Sequence, residues 1–355
     1  MNEASPRTSR LPALALQILA MGLVLTALIV GKSFLIPLAI AILVWSLLNA
    51  IIVRIEDIKL GPLAPPRWLA SILGIALVGL AFFAVIRVLA SQADAVAAAW
   101  PRYAMRLEAL FSNTMAWLGP EVARETKEML AQINIAAQVS GFVGSAGSLL
   151  LTAILVIIYV GFLMAERGTI SPKLAALFPG REGAADVRHI VDSVSLSVRR
   201  YMWIKTIMSV LTGATSYAVM KTMGLDFAET WALIILLLNY IPNIGSVLGV
   251  IFPALLALVQ FDTLAPFLII AVGLTAVQFT VGNVLEPMFM GSSLNLSAFV
   301  IILSLTFWGT IWGLVGMFLS VPIAVMAMVV CAHVPGLRWI AILLSRDGQL
   351  ETERG

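Results

Sequence analysis

The chain has 355 residues, of which 61% are hydrophobic and only 12% are charged. A soluble domain carries about 45–50% apolar residues and about a quarter charged ones, so this composition excludes an ordinary soluble protein. Several apolar runs exceed the ~18–20 residues that cross a bilayer as a helix, which predicts an all-α polytopic membrane protein with about eight transmembrane helices. The net charge of +3 then reports how the loops are oriented, not binding to nucleic acid.

The predicted spans, in chain order, lie at Leu11–Val30, Phe34–Val53, Trp68–Val88, Phe142–Met164, Met202–Met220, Thr230–Leu258, Leu264–Leu285 and Ala298–Val330. The sixth and eighth are too long for one upright helix, because about 30 residues extend about 45 Å and the hydrocarbon core is about 30 Å thick. Each of these two runs must tilt strongly, break or fold back.

Basic residues indicate how the chain is oriented. Eight crossings place both termini on one side, and the connections on that side hold Arg7, Arg10, Arg54, Lys59, Arg67, Arg167, Lys173, Arg181, Arg188, Arg199, Arg200, Arg338, Arg346 and Arg354. The short loops of the other side offer only Lys32 and Lys221. The positive-inside rule therefore predicts that both termini are cytoplasmic, and a run that folds back without crossing would change the count.

The whole chain, 1–355, is predicted to form a single membrane domain. Residues 1–88 supply three spans, 89–141 form an extracytoplasmic amphipathic helical segment, and 142–355 supply the remaining spans. Within the amphipathic segment, apolar residues recur at helical spacing from Val96 to Met115, and Gly119-Pro120 interrupts the pattern. This segment could cap its own protomer, lie in the membrane interface or pack against a neighbouring subunit.

Cysteine and histidine are scarce, which bounds the chemistry. Cys331 is the single cysteine, so no disulfide forms within the chain, and neither His189 nor His333 has a cysteine or carboxylate cluster near it in sequence. No metal site or cofactor is predicted. The absence of G-x-x-x-x-G-K-[ST], G-x-S-x-G and H-E-x-x-H patterns argues against a P-loop ATPase and against an intramembrane enzyme.

The sixth span carries polar and helix-breaking residues at its centre, in the stretch LNYIPNIGSVLG. The candidate pathway residues here are Asn239, Pro242, Asn243, Gly245 and Ser246. Pro242 removes a helical hydrogen bond, and the two asparagines and the serine fall close to one side of an ideal helix. Broken helices at membrane depth recur in transporters, where freed backbone groups hold a substrate or ion. The alternative is close helix packing through the Gly245-x-x-x-Gly249 pattern.

Two later segments have the same character. VQFTVGNVLEPMFMG contributes the candidates Gln278, Asn283, Glu286 and Pro287, and LTFWGTIWGLVGMFLSVPIAV contributes the predicted hinge positions Gly309, Gly313, Gly316 and Pro322. Glu286 stands at the edge of its span. It could be solvated there, or it could be drawn inward, where a carboxylate exchanges protons or binds a cation.

These segments, LNYIPNIGSVLGVIFPALLAL, VLEPMFMGSSLNLS and FWGTIWGLVGMFLSVP in that order, resemble the AI-2E transporter family, also described as PerM-like permeases. The resemblance implies a multi-pass transporter of the bacterial plasma (inner) membrane that forms homo-oligomers. The family's best-known assigned role is export of the quorum-sensing molecule autoinducer-2, and other members are associated with sodium/proton antiport. The matched positions are Pro242, Asn243, Gly245, Glu286, Pro287, Gly291 and Pro322. YMWIKT, at Tyr201–Thr206, keeps only the tyrosine of the usual Tyr-x-Arg-Gly-Gln pattern.

The sequence thus favours secondary transport or export of a small polar solute such as autoinducer-2. Asn239, Asn243 and Ser246 would supply hydrogen bonds, and Glu286 is the candidate site for H⁺ or Na⁺. A cation/proton antiporter is the alternative, and a non-transporting oligomeric scaffold or channel-like ring is the alternative of another class. The expected partners are membrane lipids, the solute and further copies of the chain, with no nucleic acid.

Overall fold

The computed structural model describes residues 10–58, 65–115, 146–166, 181–290 and 295–349, together with 168, 169, 172, 173 and 176. These residues form helices and no β-strand. The helices are α1 (Arg10–Val30), α2 (Lys32–Glu56), α3 (Arg67–Met115), α4 (Ala146–Ala165), α5 (Arg181–Thr222), α6 (Ala228–Leu238), α7 (Ile244–Gln260), α8 (Leu264–Phe279), α9 (Glu286–Met290), α10 (Ala298–His333) and α11 (Arg338–Leu344). A π-helical turn, Thr280–Leu285, joins α8 to α9, and a 3₁₀ turn, Pro335–Leu337, precedes α11.

The outer surface of this helical assembly suits lipid. Among the described residues, Lys32–Glu56, Arg67–Val88, Leu264–Met290 and Ala298–His333 are each long and apolar enough to cross a bilayer. Large apolar side chains point outward, as at Leu80, Phe162 and Val272, which are 66%, 68% and 67% exposed. Because so much apolar surface is stable only in hydrocarbon, the prediction of an all-α polytopic membrane protein is confirmed.

Two helices extend far beyond their predicted spans. The third predicted span ended at Val88, but α3 continues without a break, and the fifth began at Met202, but α5 starts at Arg181. Their 49 and 42 residues correspond to about 73 and 63 Å, so both project from a bilayer. The described part of the predicted amphipathic segment is therefore the projecting end of α3. The rest of that segment lies in 116–145, outside the described residues.

The sixth predicted span folds back instead of crossing. The chain turns at 239–243, and α6 and α7 pack antiparallel. Near the middle of the pair, the rings of Trp231 and Phe252 stack with centroids 6.0 Å apart. At its open end, Gln260 Nε2 donates to Gly224 O at 2.8 Å. We call α6 and α7 the first hairpin.

The eighth predicted span also reverses its direction. Gly313 adopts φ 62° and ψ −143°, a backbone conformation that favours glycine because it has no Cβ. Beyond this point the chain returns along itself, and Ser304 Oγ donates to Ser320 O at 2.9 Å. A straight helix would hold these two residues about 24 Å apart. We call α10 the second hairpin.

The hairpins correct the path predicted for the chain between them. Eight full crossings would place Asn295 and Leu296, which precede the last predicted span, on the side opposite the C-terminal tail. Instead, Leu296 pairs with Ser345, and Arg346 N donates to Asn295 O at 2.8 Å, so these two residues lie beside the tail. Counting both long runs as crossings was wrong. Two fold-backs remove two crossings, and the number of crossings stays even. The orientation argument, which needs both termini on one side of the membrane, is therefore unchanged.

Helix α5 lies at the centre of the packing. One buried apolar cluster joins α5 to the tip of the first hairpin and to the second hairpin. Another joins α5 to both helices of the first hairpin and to α8. Side chains that α5 presents to these neighbours are therefore shielded from lipid.

Candidate functional site

One face of α5 carries polar side chains into the protein interior. They recur every three or four residues and fall within an arc of about 80° on an ideal helix. They are Tyr201, Lys205, Ser209, Thr212 and Ser216. Their exposed fractions lie between 0% and 5%. We call these five residues the polar face of α5. It extends about 22 Å along the helix, most of the thickness of a hydrocarbon core.

The tip of the first hairpin lies against this face. Asn239 Nδ2 donates to Ser209 Oγ at 3.1 Å, and both side chains are buried. Gln278 of α8 is buried as well, and its Nε2 has no hydrogen-bond partner within the described chain. The Tyr201 hydroxyl and Ser216 Oγ are unpartnered in the same sense. Because unpaired polar groups are costly in an apolar interior, these atoms favour the entry of water or a polar solute.

Lys205 and Glu286 form an ion pair inside the protein. Lys205 Nζ lies 2.6 Å from Glu286 Oε1, and the two side chains are 6% and 18% exposed. Glu286 is thus drawn inward from the edge of its span, not solvated there. Ionisable residues at membrane depth mark pathways for substrates or ions, which makes this pair part of the candidate site.

Tyr240 connects both hairpins to α5. Its hydroxyl lies 2.7 Å from Thr206 Oγ1, and its ring centroid lies 4.8 Å from that of Phe318 in the second hairpin. The contact with α5 falls between the buried ion pair and the Asn239–Ser209 hydrogen bond. A movement of either hairpin would therefore change the surroundings of the polar face.

The structure divides the candidates predicted from sequence. Asn239 and Glu286 contact the polar face of α5, and Gln278 is buried in α8. Those left exposed or half-buried are Asn243, Ser246, Asn283 and Pro287. The prediction that Asn239, Asn243 and Ser246 share one helix face was wrong. The turn intervenes, and Asn243 adopts φ 59° and ψ −52°.

Two of the predicted break positions lie where the hairpins are tightest. A Cβ on Gly245 would fall 1.8 Å from Leu238 O, and one on Gly316 would fall 1.9 Å from Trp308 O. The others are Pro242 in the first hairpin's turn, with Gly309, Gly313 and Pro322 in the second hairpin. Gly291 lies outside the described residues.

The projecting end of α3 holds the open end of the first hairpin. Arg102 Nη2 lies 3.2 Å from Asp226 Oδ2, and Arg106 pairs with Asp262. Tyr103 donates its hydroxyl to the same Asp226 carboxylate. Burial raises the pKa of Tyr103, so this hydroxyl stays protonated and keeps its role as donor. The described part of the amphipathic segment therefore packs on its own chain.

A cavity of about 510 Å³ opens beside this contact. Its polar lining consists of Gln92, Arg102, Lys221, Asp226 and Glu229. Glu229 accepts a hydrogen bond from Tyr217, the neighbour in sequence of Ser216. The cavity therefore lies near the end of α5 that carries Lys221.

Sequence reasoning missed the polar face itself, because it followed proline and glycine. The signal lay in the predicted fifth span, where polar residues follow one another at i, i+4, i+8, i+11 and i+15 from Tyr201. Lys205 was the strongest single indicator, since a lysine within an apolar span requires a buried partner.

Comparison with known proteins decides the family. The family described as "AI-2E family transporter" matches residues 16–336. The chain belongs to the AI-2E transporter family. A protein of Haemophilus influenzae named for transport is 32% identical over 291 residues, which cover 79% of this chain and 82% of that protein. The AI-2 transport protein TqsA of Escherichia coli is 36% identical over 213 residues, which cover 60% of this chain and 58% of TqsA.

Membership settles the class of activity. The family consists of transport proteins and not of enzymes, so this AI-2E family member is a multi-pass membrane transporter, as predicted. A second Escherichia coli relative, YhhT, is 36% identical over 147 residues, which cover 41% of this chain and 42% of YhhT.

Proposed function

We propose that this transporter moves a small polar solute along the polar face of α5, past two hairpin tips that open in turn. The observation that carries the proposal is the line of buried polar side chains on α5. Within the described residues, polar atoms of Tyr201 and Ser216 on this helix, and of Gln278 on α8, have no hydrogen-bond partner. Polar groups at membrane depth can replace the hydration of a solute, as they do in transporters with discontinuous helices.

The two hairpins supply the gates. The open end of the first hairpin lies near Lys221, at one end of α5, where Lys221 Nζ donates to Glu229 at 2.7 Å. The open end of the second hairpin lies near the other end of α5, where the rings of His189 and His333 are 5.2 Å apart. The hairpins thus enter from opposite ends of α5. Withdrawal of one tip would open the polar face to one side of the membrane, while the other tip keeps it closed to the opposite side.

Autoinducer-2 is the first solute to test, because the related TqsA is named as an AI-2 transport protein. We place the transporter in a bacterial plasma membrane, as a homo-oligomer, with both termini inside and the projecting end of α3 outside. Cation/proton antiport is the second candidate function, and the buried Glu286 carboxylate is the observation that favours it.

Cysteine accessibility tests the pathway. Ser209→Cys, Thr212→Cys and Ser216→Cys are made one at a time in a chain whose Cys331 is replaced by serine. The purified transporter is reconstituted in vesicles, autoinducer-2 flux is measured, and each cysteine is treated with a small, charged, thiol-specific reagent. We expect labelling during turnover, with loss of flux, because the polar face opens to water in each cycle.

The matched controls are Met202→Cys and Met220→Cys, which lie on the same helix and are equally buried, but in apolar clusters. They should remain unlabelled. Flux of the solute without labelling on the polar face would reject the pathway. Absence of flux for autoinducer-2, combined with labelling of the polar face, would reject only this solute.

A further inference from the structure

The Lys205–Glu286 pair differs from the other ion pairs among the described residues. Both of its side chains are buried, at 6% and 18% exposure. In Arg102–Asp226 and Lys221–Glu229, one partner is more than half exposed. A buried pair gains little over apolar residues of the same size, because both charges lose their hydration. Its presence is therefore explained better by what the charges do than by stability.

The Glu286 carboxylate is buried at an irregular turn of its helix. The carboxylate is at the end of the π-helical turn, a distortion that is frequent at functional sites. Tyr201 lies one helical turn before Lys205 on the polar face, and its hydroxyl has no hydrogen-bond partner in the described part of the chain. In ion-coupled transporters, irregular turns within helices hold sodium or protons, and Glu286 stands at such a turn.

The charged amino group of Lys205 lies where a free cation would meet the Glu286 carboxylate. Its Nζ lies 2.6 Å from Glu286 Oε1, which is hydrogen-bond distance for an ammonium group. A cation tethered to α5 acts at an effective concentration that a free ion cannot match, so sodium does not displace it.

We propose that Glu286 forms a monovalent-cation site and that Lys205 fills it as a tethered counter-ion. This inference rests on the proposed transport function. It means that solute movement requires neither sodium nor a proton at Glu286. The solute's own gradient then drives the flux. The chain would be a facilitator, and the antiport alternative would not apply to it.

The test uses Lys205→Met, which keeps the length of the side chain and removes the charge. Thermal unfolding of the purified full-length protein in detergent is followed in sodium chloride and in choline chloride at equal ionic strength. We expect the wild type to unfold at the same temperature in both salts. In choline the variant should lose about 5–10 °C, because its carboxylate is buried without a partner.

Sodium should restore more than half of that loss, as a ligand does at about a hundred times its Kd. The control is Lys221→Met, which removes the same charge from the exposed pair with Glu229 and should give no sodium response. The double variant Lys205→Met/Glu286→Gln should fold and should also be insensitive to sodium, because the carboxylate is gone.

Three results would overturn the proposal. One is a sodium response of the wild type that Glu286→Gln abolishes, because the site would then be open. Another is a Lys205→Met variant that is indifferent to sodium. The third is a variant that folds in neither salt although the double variant folds, since an empty cation site would bind sodium. None of these measurements uses the solute, so they stand apart from failure of transport itself.

Discussion

Replacement of Gly245 by alanine distinguishes a hairpin from a crossing helix by the sign of its effect. In the structure, the new Cβ would fall 1.8 Å from Leu238 O, whereas real Cβ atoms stay at 3.0 Å or more. The carbonyl would have to retreat by more than an ångström within a tight turn. Overpacking of this kind costs about 1–3 kcal/mol. In an unbroken helix the same change would stabilise by about 1 kcal/mol, because alanine is the better helix former.

The assay is the free energy of unfolding in detergent, measured for Gly245→Ala together with Gly79→Ala. Gly79 lies in α3, and a Cβ added there would meet no neighbouring heavy atom within 4 Å, so this position reports helix propensity alone. We expect Gly79→Ala to be stabilised by about 1 kcal/mol and Gly245→Ala to be destabilised. Equal stabilisation of both variants would refute the fold-back of the first hairpin.

The remaining predictions concern contacts made by the hairpins. A Ser304→Cys/Ser320→Cys pair, in a chain lacking Cys331, should cross-link on mild oxidation, as detected by mass spectrometry; a consistently absent link would favour a straight helix. Tyr240→Phe should lower the free energy of unfolding by about 1 kcal/mol, because one hydrogen bond is lost while the ring contact remains; a change above about 3 kcal/mol would mean that the ring had moved as well. Asp226→Asn should cost about 1 kcal/mol or less, with a smaller effect at high salt, because its ion pair is partly exposed; salt-independent loss would contradict this.

Much of the architecture could be predicted from local patterns. Hydropathy identified the apolar runs, and their excess length indicated that the sixth and eighth could not be simple crossings. Pro242 and Gly313 correctly drew attention to the regions where the chain turns. Local patterns could not decide among tilting, breaking and folding back. That choice depends on whether the second half of each run packs against the first half or continues to the other side of the membrane.

The candidate site was only partly predictable. Asn239 and Glu286 were expected to matter, but Asn243 and Ser246 were placed with Asn239 on one side of an ideal helix, and the turn separates them from it. Lys205 entered only as part of YMWIKT, where the chain departs from the family's usual pattern. Its partner could not be inferred, since the two residues are 81 positions apart.

The amino-acid sequence by itself determined that this protein is a helical membrane transporter, where its apolar runs lie and where they are weakened. These properties depend on the side chains of neighbouring residues and on the thickness of a bilayer. Only the tertiary structure decided that the two weakened runs become hairpins and that their tips meet the polar face of α5. Long-range packing made that decision, because a buried charge or amide is stable only where another chain segment supplies its partner.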